Sequence, residues 1–227
     1  MGITKEQQQN KHLIHRLFNI LRTRVKICGI KNVKDAILAS DLGVDALGFV
    51  FYKESPRYID PIEAGKITLS LHPFILRVGL FVDADAEFVR DSISKSKINL
   101  IQFHGNESEE YCNQFNLPYI KAIVMKEDIN LLECCRDYKS ASALLLDTFS
   151  EKLKGGTGKV FDWKKIPKKL SLPIIIAGGL NSENISDLIK KVRPFCVDVS
   201  GGVERIKGVK DEEKMKEFMI GVNDATL

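Results

Sequence analysis

The sequence predicts an α/β protein, a single (β/α)8 TIM barrel with an extra N-terminal helix. Three observations carry this. From residue 25 onward, eight apolar, β-branched segments alternate with helix-like ones, a pattern that implies a parallel sheet. Two of these segments, near the C-terminus, stop at Gly-Gly pairs that begin at Gly178 and Gly201, 23 residues apart, the length of one strand–helix repeat. The first strand ends in Cys28-Gly29 and lacks the Gly-rich turn that a doubly wound open sheet, the main rival, would more often show.

In chain order the expected strands are 25–29, 46–51, 76–82, 100–104, 119–125, 143–147, 173–177 and 196–200. Each is a short run bounded by turn residues, as a buried strand requires. The helical patterns between them are clearest at 32–42, 108–115, 181–192 and 211–222. Asn181 and Asp211 are the expected N-caps, although Asn184 stands where a full capping box would place glutamate. Eight units in about 200 residues match the small end of the barrel range. The two Gly-Gly segments then become strands 7 and 8, whose following loops commonly hold a phosphate. Glycine there lets backbone amides approach a ligand without a Cβ in the way.

Composition narrows the function classes. The chain is 44% apolar and 28% charged over 227 residues, ordinary for a soluble domain. Its net charge of +4 resides in residues 1–24, where Lys5, Lys11, Arg16, Arg22 and Arg24 face Glu6 alone. The remainder is neutral, which argues against nucleic-acid binding, and no apolar run is long enough to span a membrane. Five cysteines lack metal-ligand or disulfide-framework spacing, so a reducing, cytoplasmic setting is expected. Residues 1–24 are expected to form an extension and residues 25–227 the barrel domain. Leu13, Ile14, Leu17, Phe18 and Leu21 make an apolar helical stripe in that extension. The stripe suits packing on the barrel's outside or bottom, a fusion remnant or an oligomer contact better than an organelle presequence. A monomer and a homodimer both remain open.

In a barrel the functional mouth lies at the strand C-termini. Period-two alternation puts Lys26 with Cys28, Gln102 with His104, and Asp198 with Ser200, each pair on one face. Asp147 ends strand 6. If that face is the interior, a thiol, an imidazole, two carboxylates and an ammonium converge beneath the phosphate loops, where packing is normally apolar. Such groups cost stability unless they pair or perform chemistry. Each also has a structural reading: Cys28 as a small buried hydrophobe, Asp147 as a turn cap, Lys26 and Asp198 as an ion pair, His104 as a core histidine. Arg57, just past strand 2, is either solvated or a fork for a planar carboxylate. The segment Gly155-Gly-Thr-Gly158 lacks nucleotide-loop spacing and reads as a lid over the site.

These residues resemble the phosphoribosylanthranilate isomerase family of tryptophan biosynthesis from residue 25 almost to the end. The matching stretches are Val25-Lys-Ile-Cys-Gly-Ile30, Ala46-Leu-Gly-Phe-Val-Phe51 with Ser55-Pro-Arg-Tyr58, and Val78-Gly-Leu-Phe-Val82. They continue through Ile101-Gln-Phe-His-Gly105, Leu145-Leu-Asp147, Gly155-Gly-Thr-Gly-Lys159 with Phe161-Asp-Trp163, Ala177-Gly-Gly-Leu-Asn181, and Val197-Asp-Val-Ser200.

The resemblance implies an Amadori rearrangement without metal or organic cofactor, with Cys28 as base and Asp147 as acid. It gives Arg57 to the anthranilate carboxylate and Gly178, Gly179, Ser200, Gly201 and Gly202 to the phosphate. His104 and Asp198 complete the expected substrate-binding set. Lys26 is expected to lower the thiol's pKa and Asp198 to help keep Asp147 protonated.

Three positions depart from the family pattern. Lys31 replaces a threonine, Gly201 replaces the middle of Ser-Ser-Gly, and Phe103 replaces a smaller residue before the histidine. They predict altered phosphate contacts and packing but unchanged chemistry. The rivals are a related phosphosugar barrel enzyme and a non-catalytic phosphate-ligand-binding barrel. A histidine-pathway isomerase would carry aspartate where Cys28 stands, and the intact Cys28–Asp147 pair speaks against a sensor.

Overall fold

A computed structural model describes residues 22–148, 162–167 and 169–226. Eight parallel strands close into a barrel in sequence order. They are β1 (Arg24–Cys28), β2 (Ala46–Val50), β3 (Leu76–Phe81), β4 (Leu100–Phe103), β5 (Tyr119–Met125), β6 (Ala143–Thr148), β7 (Ile174–Ile176) and β8 (Cys196–Val199). All eight expected strands are present, with ends displaced by no more than a residue or two. The barrel closes where β1 pairs with β8, with Lys26 opposite Asp198 and Ile27 opposite Val199.

The helices between strands are α1 (Val33–Asp41), α2 (Pro61–Thr68), α3 (Ala86–Ser96), α4 (Glu109–Asn113) and α5 (Leu131–Asp137). After β7 come α6 (Ile185–Val192), a hairpin of β9 (Glu204–Ile206) and β10 (Val209–Lys210), and α7 (Glu212–Thr226). Their starts are chemically marked. Asn32, Asp60, Asp85 and Ser108 each accept a first-turn backbone N–H, and Pro61 occupies the first turn of α2. Asp211 accepts from the Lys214 amide, as expected of its cap position.

The expected helix at 181–192 begins later, at Ile185. Asn181 does cap, but it caps an isolated turn by accepting from the Glu183 and Asn184 amides. Asn184 then makes no side-chain cap to α6. Its amide is directed to the Gly-Gly loop instead: Nδ2 donates to the Gly179 carbonyl and Oδ1 accepts from Asn181 N. Local capping has been exchanged for positioning of a loop at the mouth.

Alternation divides each strand between two cores. Outward residues such as Val25, Ile27, Phe49, Ile101, Leu144 and Val197 pack against the helices. Inward residues Ala46, Val78, Leu100, Ala143, Leu145 and Ile175 fill the barrel's lower interior, the branched, layered packing the fold requires. Phe103 faces outward, in a ring cluster with Phe81, Tyr111, Phe115 and Tyr119, so its departure from the family is absorbed by packing. The expected N-terminal helix and the glycine-rich lid at 155–159 lie outside the described residues.

Candidate active site

Above the apolar layers the interior turns polar. Lys26 on β1 and Asp198 on β8 form an ion pair at 2.9 Å, their side chains 1% and 8% exposed. Burial opposes the charge on Lys26, but Asp198 and the adjacent Cys28 outweigh it and raise its pKa. Asp198 is itself shifted upward, chiefly by burial and partly by Asp147, with Lys26 pulling the other way. Its second oxygen, Oδ1, is buried and has no hydrogen-bond partner among the described residues.

Cys28 stands two residues above Lys26 on the same face. A side chain on β2 would collide with it: a Cβ at Gly48 would lie 2.8 Å from Cys28 Sγ and 3.1 Å from Lys26 Cε. Gly48 therefore makes the space in which thiol and ammonium meet. The expectation that Lys26 lowers the thiol's pKa holds only as a contribution. Burial pushes the thiol above its ordinary range, and the opposing pull of Lys26 does not overcome it. Removing a thiolate from water costs more than one neighbouring cation, already shared with Asp198, returns.

Opposite, Gln102 is fully buried and its Nε2 lies 3.0 Å from His104 Nδ1. His104 Nε2 lies 3.2 Å from Asp147 Oδ2. The other Asp147 oxygen accepts from the Thr148 amide at 2.8 Å. Both expected residues thus meet at the mouth and touch each other.

At the rim, Arg57 runs across Gly29, whose φ of +83° and lack of Cβ allow the approach; a Cβ there would stand 2.7 Å from Arg57 Cδ. Its guanidinium forks onto Glu204, Nε to Oε1 at 2.8 Å and Nη2 to Oε2 at 2.7 Å. The two readings of Arg57, solvated or carboxylate-binding, thus resolve to a fork already holding a carboxylate of the protein. Glu204 is drawn below the usual carboxylate range because Arg57 and Lys210 overcome the burial that would raise it.

The two Gly-Gly loops close the same end. Gly178 and Gly179 both take positive φ, +80° and +69°, and a Cβ on Gly178 would strike Thr148 and stand 2.7 Å from Asp147 Oδ1. Ser200 Oγ donates to the Cys28 carbonyl at 3.0 Å, so its hydroxyl ties β8 to β1. Lys31, the departure after strand 1, reaches the Pro56 carbonyl at 3.3 Å.

A barrel mouth with a thiol, a carboxyl, a guanidinium and two glycine loops narrows the chemistry, and comparison with known proteins decides the family. The sequence pattern of N-(5'-phosphoribosyl)anthranilate isomerase matches residues 25–220. The enzyme of that name from Nitrosococcus oceani is 53% identical over 203 residues, covering 89% of this chain and 98% of its own. The crystal structure of phosphoribosyl anthranilate isomerase from Thermotoga maritima superposes with a TM-score of 0.82 at 40% identity, covering 89% of this chain and 99% of that one. A crystal structure of such an isomerase with reduced 1-(o-carboxyphenylamino)-1-deoxyribulose 5-phosphate superposes at 0.79 with 39% identity, with the same coverage. The chain belongs to the phosphoribosylanthranilate isomerase family.

Within this isomerase the glycines of the strand-8 loop are not equivalent. A Cβ on Gly202 would be driven into the Leu180 carbonyl, whereas one on Gly201 would meet only Arg57 Nη2, at 3.3 Å. Gly202→Ala is therefore expected to distort the loop and weaken binding of inorganic phosphate. Gly201→Ser, which restores the family's hydroxyl, is expected to fold with unchanged melting temperature. Calorimetric phosphate titration of both variants checks this, and equal behaviour of the two sinks the distinction.

Two residues of the isomerase's mouth escape a reading of the sequence alone. Glu204 and Lys210 are buried yet sit in the polar run Val203-Glu-Arg-Ile-Lys-Gly-Val-Lys210, which looks solvated. A signal is present: Lys207-Gly208 is a hairpin turn, with Gly208 at φ +82°, and the hairpin's register sets Lys210 opposite Glu204.

Proposed function

We propose that this isomerase rearranges N-(5-phosphoribosyl)anthranilate to 1-(2-carboxyphenylamino)-1-deoxyribulose 5-phosphate with Cys28 as base and Asp147 as acid, the barrel 25–227 being its catalytic unit and the cytoplasm its compartment. The observation that carries the assignment is the polar mouth: Cys28 faces inward beside Lys26 in the space Gly48 leaves, Asp147 ends β6 3.2 Å from His104, and buried Asp198 acts on both. Asp147 gives its proton to the furanose oxygen as the C1′–O bond breaks, and the anilino nitrogen's lone pair forms the C1′=N bond. The Cys28 thiolate takes the C2′ proton. The C–H electrons become the C1′=C2′ bond and the nitrogen regains its pair. The resulting enol tautomerises to the ketone, leaving a thiol and a carboxylate to exchange the proton back.

Binding follows the same geometry. The phosphate is assigned to the amides of the Gly178–Gly179 and Ser200–Gly202 loops. With Nε and Nη2 of Arg57 engaged by Glu204, the edge built on Nη1 is assigned to the anthranilate carboxylate. His104 steadies Asp147, and Lys26–Asp198 support Cys28 from below.

Purified protein mixed with freshly prepared phosphoribosylanthranilate is expected to quench the anthranilate-type fluorescence with turnover. Binding of a product analogue without turnover would favour a sensor. Because burial raises the Cys28 thiol above its ordinary range, the rate of Cys28 labelling by iodoacetamide should keep rising with pH through that range. Labelling that has already reached its plateau near neutrality would contradict the raised thiol.

A further inference from the structure

We propose that Lys210 is a positioning residue for Cys28, fixing the strand end that carries the thiol and setting a second cation against the thiolate; the inference rests on the mouth described above. Lys210 comes from the hairpin after β8, not from a barrel strand, and its side chain is 1% exposed. An ammonium has three donors, and all three are used at the seam between β8 and β1. Nζ donates to the Cys28 carbonyl at 2.6 Å, to the Ser200 carbonyl at 3.1 Å and to Glu204 Oε1 at 3.0 Å. The Cys28 carbonyl also accepts from Ser200 Oγ, so both of its lone pairs are committed. The backbone of Cys28 is thereby held from above while Gly48 and Lys26 shape the space around Sγ.

The ammonium does more than staple. Lys210 and Lys26 both favour the ionised thiol, against burial and the carboxylate of Asp198. Arg57 feels the same thiolate, and Glu204 holds Arg57 and Lys210 together through one carboxylate. Burying an amine is strongly unfavourable unless it is fully paired. A lysine placed here, with all three donors used and one of them on the backbone carbonyl of Cys28, fits a supporting role better than a surface-anchoring one.

The test measures Cys28 directly. In Lys210→Met, iodoacetamide labelling of Cys28 at pH 8, followed by peptide mass spectrometry, should slow about tenfold, the effect of one pKa unit. Cys112, fully buried elsewhere, should keep its wild-type labelling rate. kcat should fall with KM unchanged, and Lys210→Arg should recover part of both losses. Wild-type labelling of Cys28 in folded Lys210→Met overturns the proposal. Faster labelling of Cys28 and Cys112 together does so too, since it shows a purely structural role. If Lys210→Met does not fold, the double variant Glu204→Gln/Lys210→Met, which removes the carboxylate with the cation, is read in the same way. Turnover retained by Cys28→Ala would sink the base assignment alone, because labelling reads the contact between Lys210 and Cys28 whatever the thiol does in catalysis.

Discussion

Cys28→Ser and Asp147→Asn should each lower kcat/KM by roughly 10²–10⁴-fold, the range general acid–base groups supply, while leaving the fold intact. Serine keeps nearly the volume of the thiol in the space Gly48 provides, but its hydroxyl does not ionise in the accessible pH range. Asparagine keeps an acceptor for the Thr148 amide, now 2.8 Å from Asp147 Oδ1, and loses the proton the furanose oxygen needs. Both proton transfers belong to one rearrangement, so the double variant should be little worse than the poorer single one. Steady-state fluorescence kinetics on variants shown to be folded by circular dichroism would decide it. A folded variant within about tenfold of wild type, less than these groups contribute, removes that residue from its role.

The second large effect falls on stability. Lys26→Met leaves the Asp198 carboxylate buried without its partner, a loss of about 3–5 kcal/mol. At this chain size that corresponds to a fall in melting temperature of roughly 6–20 °C, taking about 2–4 °C per kcal/mol. Lys26→Met/Asp198→Leu should regain most of it, because well-packed apolar residues replace a buried ion pair at little or no cost. The double variant should nonetheless be much less active, having lost one of the two cations that favour the Cys28 thiolate. Scanning calorimetry on both singles and the double measures the coupling. A Lys26→Met drop under about 2 °C, the equivalent of less than one kcal/mol, would mean that water reaches Asp198.

The barrel is legible in the sequence because its signals are local. A β-branched run such as Ile174-Ile-Ile176 ends at Gly178 for reasons that two adjacent residues display, and period two alone sets Lys26 with Cys28 and Asp198 with Ser200. The sign of the Cys28 shift is not legible in this way. Lys26 is visible in the sequence, but the depth of burial that overrides it is a property of the closed barrel. Glu204 and Lys210 are hidden among exposed Arg205 and Lys207, since only the hairpin separates the buried pair from the solvated one. Gly48 is hidden for the opposite reason: within an apolar strand its missing side chain looks like ordinary variation until Cys28 is seen beside it. At Asn181 and Asn184, two similar residues compete for one cap, and the loop at Gly179 decides which is used.

The seam between β1 and β8 joins the first and last strands of the barrel. Lys26 meets Asp198, Ser200 meets the Cys28 carbonyl, and Lys210 meets the same carbonyl across 172, 172 and 182 residues. Contacts this distant are among the last a folding chain can make, because the intervening loop must close before they form. During synthesis the thiol of β1 leaves the ribosome long before the residues that hold it. A nascent chain that has built seven strands therefore has most of a barrel, with the residues of the His104–Asp147 pair already in place, but none of the seam contacts that hold Cys28, and the reaction becomes available only when the fold is finished.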